Sequence, residues 1–182
     1  DETETMDPGL IKQLFETGLM GIELPEALGG AGGSFFMAIL AIEALSRGAA
    51  SAILVDSDRK ACACIEQNLE KTRLKASVIC SDVFRFLKTQ TDMLQADVIF
   101  ADPPYAKKPG DTDFALDLLR NKSLPQMLHL DGILVLEVAT SWRCPQLEPW
   151  ELIKSKKYGS TEILFLRQTA THVAFNPVIV SE

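Results

Sequence analysis

Residues 97 to 105 read Asp97-Val-Ile-Phe-Ala-Asp102-Pro103-Pro104-Tyr105 and bring together a carboxylate, two prolines and an aromatic ring. The carboxylate of Asp102 accepts hydrogen bonds only, and Pro103, which has no N–H, still offers its carbonyl. Two acceptors beside a flat ring suit an exocyclic amine on a planar base. The lone pair of such an amine is delocalised into the ring, so a site must draw on its N–H hydrogens to make the nitrogen nucleophilic. Methyl transfer to that nitrogen is the chemistry the group fits, with Tyr105 stacked on the base face. Pro103 and Pro104 stiffen the stem between acid and ring. A plain turn with an Asp cap uses the same residue types and is the competing reading of this stretch alone.

Two further acids stand in similar places. Asp56 ends the run Ala52 to Val55, and Asp82 follows Ala76 to Cys80. Each one alone reads as a helix cap, but with Asp102 they form a series of acids at strand ends. In an open α/β sheet, ligands bind at the carboxyl edge of the strands, where a carboxylate can hold ribose hydroxyls and a polar neighbour an adenine amine. The Gly-Gly-Ala-Gly-Gly run at 29 to 33 opens a helix and is a weak candidate for an anion or nucleotide cradle, since it matches no full dinucleotide fingerprint.

The elements that would position these groups follow from periodicity. Val98 to Ala101 is a short apolar run, expected to be a buried parallel strand that delivers Asp102 to the sheet edge. Before it, the spacing predicts a helix over about 8 to 17, a brief strand at Met20 to Leu24, a helix from about Ser34 to Ser46 stopping at Gly48, and a strand at Ala52 to Val55. A helix over Arg59 to Thr72 capped by Asp58, a strand at Ala76 to Cys80 and a helix at Val83 to Lys88 come next. After it come a polar loop from Ala106 to Asp113, a helix at Phe114 to Arg120, a turn at Leu124 to Leu130 and a strand at Ile133 to Val138 with Glu137 near its end. Glu151 to Lys156 and Glu162 to Leu166 form a closing hairpin joined by Lys157-Tyr158-Gly159-Ser160. Alternating strands and helices imply right-handed βαβ units, so the expected fold is α/β, with a mostly parallel sheet and an antiparallel C-terminal edge.

The 182 residues suffice for one domain with a sizeable core, and 47% hydrophobic with 24% charged residues marks a globular chain. No apolar run reaches membrane-spanning length; the longest is Phe35 to Ala41. The acidic start Asp-Glu-Thr-Glu differs from a basic signal or transit segment, so a cytoplasmic location is expected. A net charge of −7 argues against broad, sequence-independent nucleic-acid binding but leaves room for local basic patches at Lys107-Lys108 or at Lys154, Lys156 and Lys157. Cys62, Cys64, Cys80 and Cys144 contain no C-x-x-C pair, and His129 and His172 are isolated. Buried thiols and no metal site are expected.

A family resemblance covers roughly two-thirds of the chain. Residues 42 to about 167 resemble the RsmD-type methyltransferases through Ile42-Glu-Ala-Leu-Ser-Arg-Gly-Ala49, Val55-Asp-Ser-Asp-Arg-Lys-Ala61, Asn68-Leu-Glu, Ser81-Asp82, Phe100-Ala-Asp-Pro-Pro-Tyr105, Leu130-Asp-Gly-Ile-Leu-Val-Leu-Glu137 and Lys157-Tyr-Gly-Ser-Thr-Glu162. The resemblance implies a Rossmann-like sheet that uses S-adenosylmethionine to methylate the N2 amine of a guanine in small-subunit ribosomal RNA. By position, Asp56 with Ser57 would hold the cofactor ribose and Asp82 with Val83 the adenine, while Asp102, Pro103, Pro104 and Tyr105 would form the catalytic amine site. The implied partner is rRNA or the assembling small subunit, met by a monomer with no membrane and no metal.

One part of the family pattern is absent. The glycine motif after its first strand falls here on Phe36, Met37 and Ala38. Residues 1 to 46 instead resemble the N-terminal helical domain of acyl-CoA dehydrogenases, through Leu14-Phe-Glu-Thr-Gly-Leu-Met-Gly-Ile-Glu-Leu-Pro-Glu26, Gly29 to Phe36 and Ala38 to Leu45. The chain thus reads as a chimera with segments 1–46, 47–167 and 168–182, in which the first strand and glycine motif are replaced and Gly30, Gly32 and Gly33, a few residues before the motif's position, are the expected stand-ins that would approach the cofactor at a different angle. A non-catalytic α/β RNA-binding or interaction domain, and a flavoprotein fragment, are the other two readings.

Overall fold

A computed structural model describes residues 35–90, 94–106, 108 and 110–169. The chain forms two compact units, Asp1–Phe86 and Leu87–Glu182. The expected helix near the N-terminus, the strand at Met20 to Leu24, the glycine loop and the tail beyond residue 169 lie outside the described residues.

The first unit contains α1 (Phe35–Ser46), β1 (Ile53–Asp56), α2 (Arg59–Thr72) and β2 (Ser77–Cys80), and α3 (Val83–Gln90) spans its boundary with the second. α1 ends as expected at Gly48, whose φ of +98° is open to glycine at little cost. β1 and β2 pair in parallel from Ile53 opposite Ser77 to Asp56 opposite Cys80. The crossover helix α2 starts at Asp58, whose side chain accepts from the Lys60 N–H at 2.9 Å. It ends without glycine: Arg73 takes the left-handed conformation at φ 57° and its N–H bonds Glu70 and Leu69 carbonyls. Ala61, Cys62, Asn68 and Leu69 are its buried residues.

The second unit contains β3 (Ala96–Ala101), α4 (Phe114–Arg120), α5 (Ser123–Gln126), β4 (Leu128–Ala139), β5 (Trp150–Tyr158) and β6 (Thr161–Gln168). Its strands lie in the order β3-β4-β6-β5, with β3 and β4 parallel and the other two pairs antiparallel. The α/β class, the parallel pairs and the antiparallel C-terminal edge are as the sequence predicts. The core centres on one face of β4 and β6, where Leu134, Leu136, Val138, Leu164 and Leu166 are almost fully buried. The most buried side chains thus alternate with the period 2 of a strand, while Val135 and Ile163 on the opposite face are each 9% exposed. Leu118 and Leu119 of α4 and Trp150 of β5 are also buried, and the Trp150 indole donates to the Leu119 carbonyl at 2.9 Å.

Four expectations are corrected. The stretch Leu124 to Leu130 is a short helix followed by the start of β4, because Leu128 pairs with Ala96 well before the apolar run at Ile133. The closing hairpin turns on Gly159-Ser160 alone, with Gly159 at φ +59°, so Lys157 and Tyr158 belong to β5. β3 is not wholly buried: Val98 is 47% exposed, since among the described residues β3 pairs only with β4. Of the four thiols only Cys62 is buried, and Cys80 is exposed at the end of β2.

Candidate active site

β3 stops at Ala101, and Asp102 follows at the carboxyl end of the strand, as expected. Asp102, Pro103 and Tyr105 are half-buried and Pro104 is exposed. The Tyr105 hydroxyl donates to Glu137 Oε1 at 2.7 Å and lies 3.1 Å from the Thr161 hydroxyl. Glu137 lies near the end of β4 and Thr161 opens β6, where it pairs with Ala139. The turn after β3 is therefore fastened to two other strands at the same sheet edge. Burial pushes the Tyr105 phenol up to about 12; the Thr161 hydrogen bond opposes this, and Glu137 and the charge of Asp102 add to it. The phenol therefore stays neutral and acts as a tether.

The loop between Tyr105 and α4 is held at its far end. Asp113 caps α4 by accepting the Leu116 N–H at 3.0 Å, and its other oxygen accepts the Trp142 indole N–H at 2.8 Å. Lys108 is exposed in this loop, and Lys107 lies outside the described residues.

The cofactor-site candidates Asp56, Ser57, Asp82 and Val83 belong to the first unit. Asp56 ends β1 and is half-buried, and its Oδ1 accepts the Asp58 N–H at 2.7 Å. The Ser81 N–H reaches back to the Asp56 carbonyl at 2.9 Å, which brings the ends of β1 and β2 together. Asp82 is exposed, accepts the Arg85 N–H at 2.9 Å and so caps α3. Ser57 and Val83 are exposed beside them. Each of these acids orders the backbone after its strand, which is the capping reading, and a carboxylate has acceptor positions beyond the one such a bond occupies. Gly30, Gly32 and Gly33 lie outside the described residues. Burial and the neighbouring Cys80 push the Cys62 thiol up to about 11, so it is a poor nucleophile.

Sequence reasoning placed Asp102 and Tyr105 but assigned no role to Glu137 or Thr161. The one signal available was an acid closing the apolar run Ile133 to Leu136.

Parallel β-α-β pairing, acids at strand ends and an Asp-Pro-Pro-Tyr turn define a methyltransferase-like α/β protein. The chain belongs to the family described as Conserved hypothetical protein 95, the RsmD family, whose model matches residues 12–167. That match begins well before residue 42, where the sequence resemblance starts. The solved structure of the Escherichia coli methyltransferase yhhF, a tentative assignment in its own description, is 25% identical, covers 72% of this chain and 70% of its own, and superposes with a TM-score of 0.57. A conserved hypothetical protein of Streptococcus pyogenes is 28% identical over 73% of this chain and 81% of its own, with a TM-score of 0.56. The chain also shares 47% identity over 55 residues with the short/branched chain specific acyl-CoA dehydrogenase of Bos taurus, in which it spans only 13% of the length. Among the described residues no helix is long and apolar enough to cross a membrane.

Proposed function

We propose that the protein is an S-adenosylmethionine-dependent methyltransferase acting on the exocyclic N2 amine of a guanine in small-subunit rRNA. The observation that carries this reading is the Asp102-Pro103-Pro104-Tyr105 turn at the end of β3, with the Tyr105 hydroxyl held by Glu137 and Thr161. The half-buried carboxylate of Asp56 at the end of β1 fits ribose hydroxyls by its chemistry, and Asp82 fits the adenine amine. A solved protein with this fold, 14% identical and assigned as a methyltransferase only by inference, is complexed with SAH, the demethylated product of that cofactor. When bound, S-adenosylmethionine supplies an electrophilic methyl group. Asp102 and the Pro103 carbonyl accept the amine hydrogens, which raises electron density on the nitrogen, and Asp102 takes up the proton released. Tyr105 holds the base by its ring face. The partner is rRNA or the assembling subunit, met in the cytoplasm by a monomer.

The test is calorimetric titration with S-adenosylmethionine, followed by transfer of labelled methyl groups to small-subunit rRNA lacking the modification. Binding together with label on a guanine N2 is expected. No heat at millimolar cofactor sinks the reading.

A further inference from the structure

β5 departs from regular pairing at one place. Leu152 sits opposite Leu166 and Lys154 opposite Phe165, so Ile153 is an extra residue in the strand. A single inserted residue turns every later side chain to the other face of the sheet. Without it, Lys154, Lys156 and Tyr158 would share the face of Trp150 and Leu152. With it, they share the face of Phe165, Ile163 and Thr161. This is the face of Glu137 as well, since Glu137 pairs with Ile163. The rows across the sheet then read Glu137, Ile163, Lys156 and, next to it, Ala139, Thr161, Tyr158. Both partners of the Tyr105 hydroxyl lie in or beside these rows.

The row is built differently from the other face. Lys157 points to the opposite side, where it faces Glu162 across the strands and pairs with it at 3.7 Å. Lys154 and Lys156 are exposed and Tyr158 is 59% exposed. Lysines on an edge strand also discourage strand addition. That role needs no particular face and no exposed aromatic ring, whereas phosphate contact with base stacking needs both.

We propose that Lys154, Lys156 and Tyr158 form a docking surface for single-stranded RNA, taking the backbone and a base of the nucleotides that flank the target held at Tyr105. The inference rests on the function proposed above for the amine site. Charge complementarity to phosphate selects the occupant, and the continuity of the surface with the Tyr105 tether selects its place.

The experiment measures binding of a fluorescein-labelled 20-nucleotide single-stranded RNA of mixed sequence to the full chain, by anisotropy over a range of salt. Lys154→Gln with Lys156→Gln is expected to weaken binding at least tenfold at low salt and to flatten the log–log salt slope by about 1.4, at about 0.7 for each phosphate contact in single strands. Tyr158→Ala is expected to weaken it about tenfold. Lys157→Gln, on the other face, should stay within twofold of the parent protein. Equal losses from Lys157→Gln, unchanged affinity in the double variant, or no binding by the parent protein each overturn the surface. Because the readout is binding, the outcomes separate: methylation that survives the double variant unchanged removes the surface and leaves the activity, whereas RNA binding that depends on these lysines in a protein that never transfers methyl removes the activity and leaves the surface.

Discussion

The Tyr105 hydroxyl donates a 2.7 Å hydrogen bond to Glu137, which lies 32 residues later in the chain. The bond joins the turn after β3 to the end of β4, and Thr161 adds the start of β6 at 3.1 Å. A ring tied at its hydroxyl is restricted in position, and under the proposed function a base stacked on it would inherit that restriction. Positioning of this kind acts on the reacting geometry more than on affinity for the cofactor.

Glu137→Ala is therefore predicted to lower turnover at saturating cofactor about tenfold or more, about 1.4 kcal/mol per decade, while cofactor affinity stays within twofold. Glu137→Gln keeps an amide oxygen that accepts the phenol hydrogen and should recover most of the loss. Steady-state rates beside calorimetric affinities check this. Equal activity in the Ala and parent proteins would remove any positioning role for Glu137.

The same tether sets a pH dependence. The Tyr105 phenol is raised from its ordinary value of 10.0 to about 12, so the folded state holds its proton more tightly than the unfolded state does. Stability from this group is complete below pH 10 and is lost as pH rises from about 10 through 12. Absorbance titration near the tyrosinate band should show one of the two tyrosines ionising near 12, and Tyr105→Phe should remove that transition. A late transition that persists in Tyr105→Phe contradicts the assignment.

Asp102 and Asp56 should separate by readout. Asp102→Ala is expected to abolish methyl transfer with cofactor affinity changed only a few-fold. Asp56→Asn keeps an oxygen for the Asp58 N–H but loses its charge, so it should weaken cofactor binding with little change in melting temperature. If each change damages both assays alike, the two roles are wrongly divided.

The sheet of the second unit has a packing test at Gly132. A Cβ there would meet Leu128 side-chain carbons at 2.9 Å and the Ala96 carbonyl oxygen at 3.0 Å. The backbone oxygen cannot swing aside as a side chain does. Gly132→Ala should cost about 1 to 3 kcal/mol, read by urea denaturation. An unchanged midpoint would show that β3 and β4 can separate slightly at this point.

The Trp150 indole tests the other side of the core. Trp150→Phe fills most of the same space but leaves the Leu119 carbonyl without its 2.9 Å donor, which should cost about 1 to 3 kcal/mol. Thermal melting of the two proteins side by side checks it, and equal melting temperatures would mean that water replaces the indole there.

What the amino-acid sequence determined by itself is local. Period-2 and helical spacing located β1, β2, α2 and α4 to within a residue or two, and Asp58 announced its cap because the groups it joins lie within a few residues of each other. The Asp102 to Tyr105 turn was legible for the same reason, since its stiffness and its acceptors reside in adjacent residues. The tertiary structure alone decided what Tyr105 is tied to, because Glu137 and Thr161 reach it only through pairing between strands remote in sequence. It also decided which way Lys154, Lys156 and Tyr158 face. Their spacing in the chain is that of a regular strand continuing from Trp150 and Leu152, and one extra residue at Ile153, visible only in the register against β6, turns them to the opposite side.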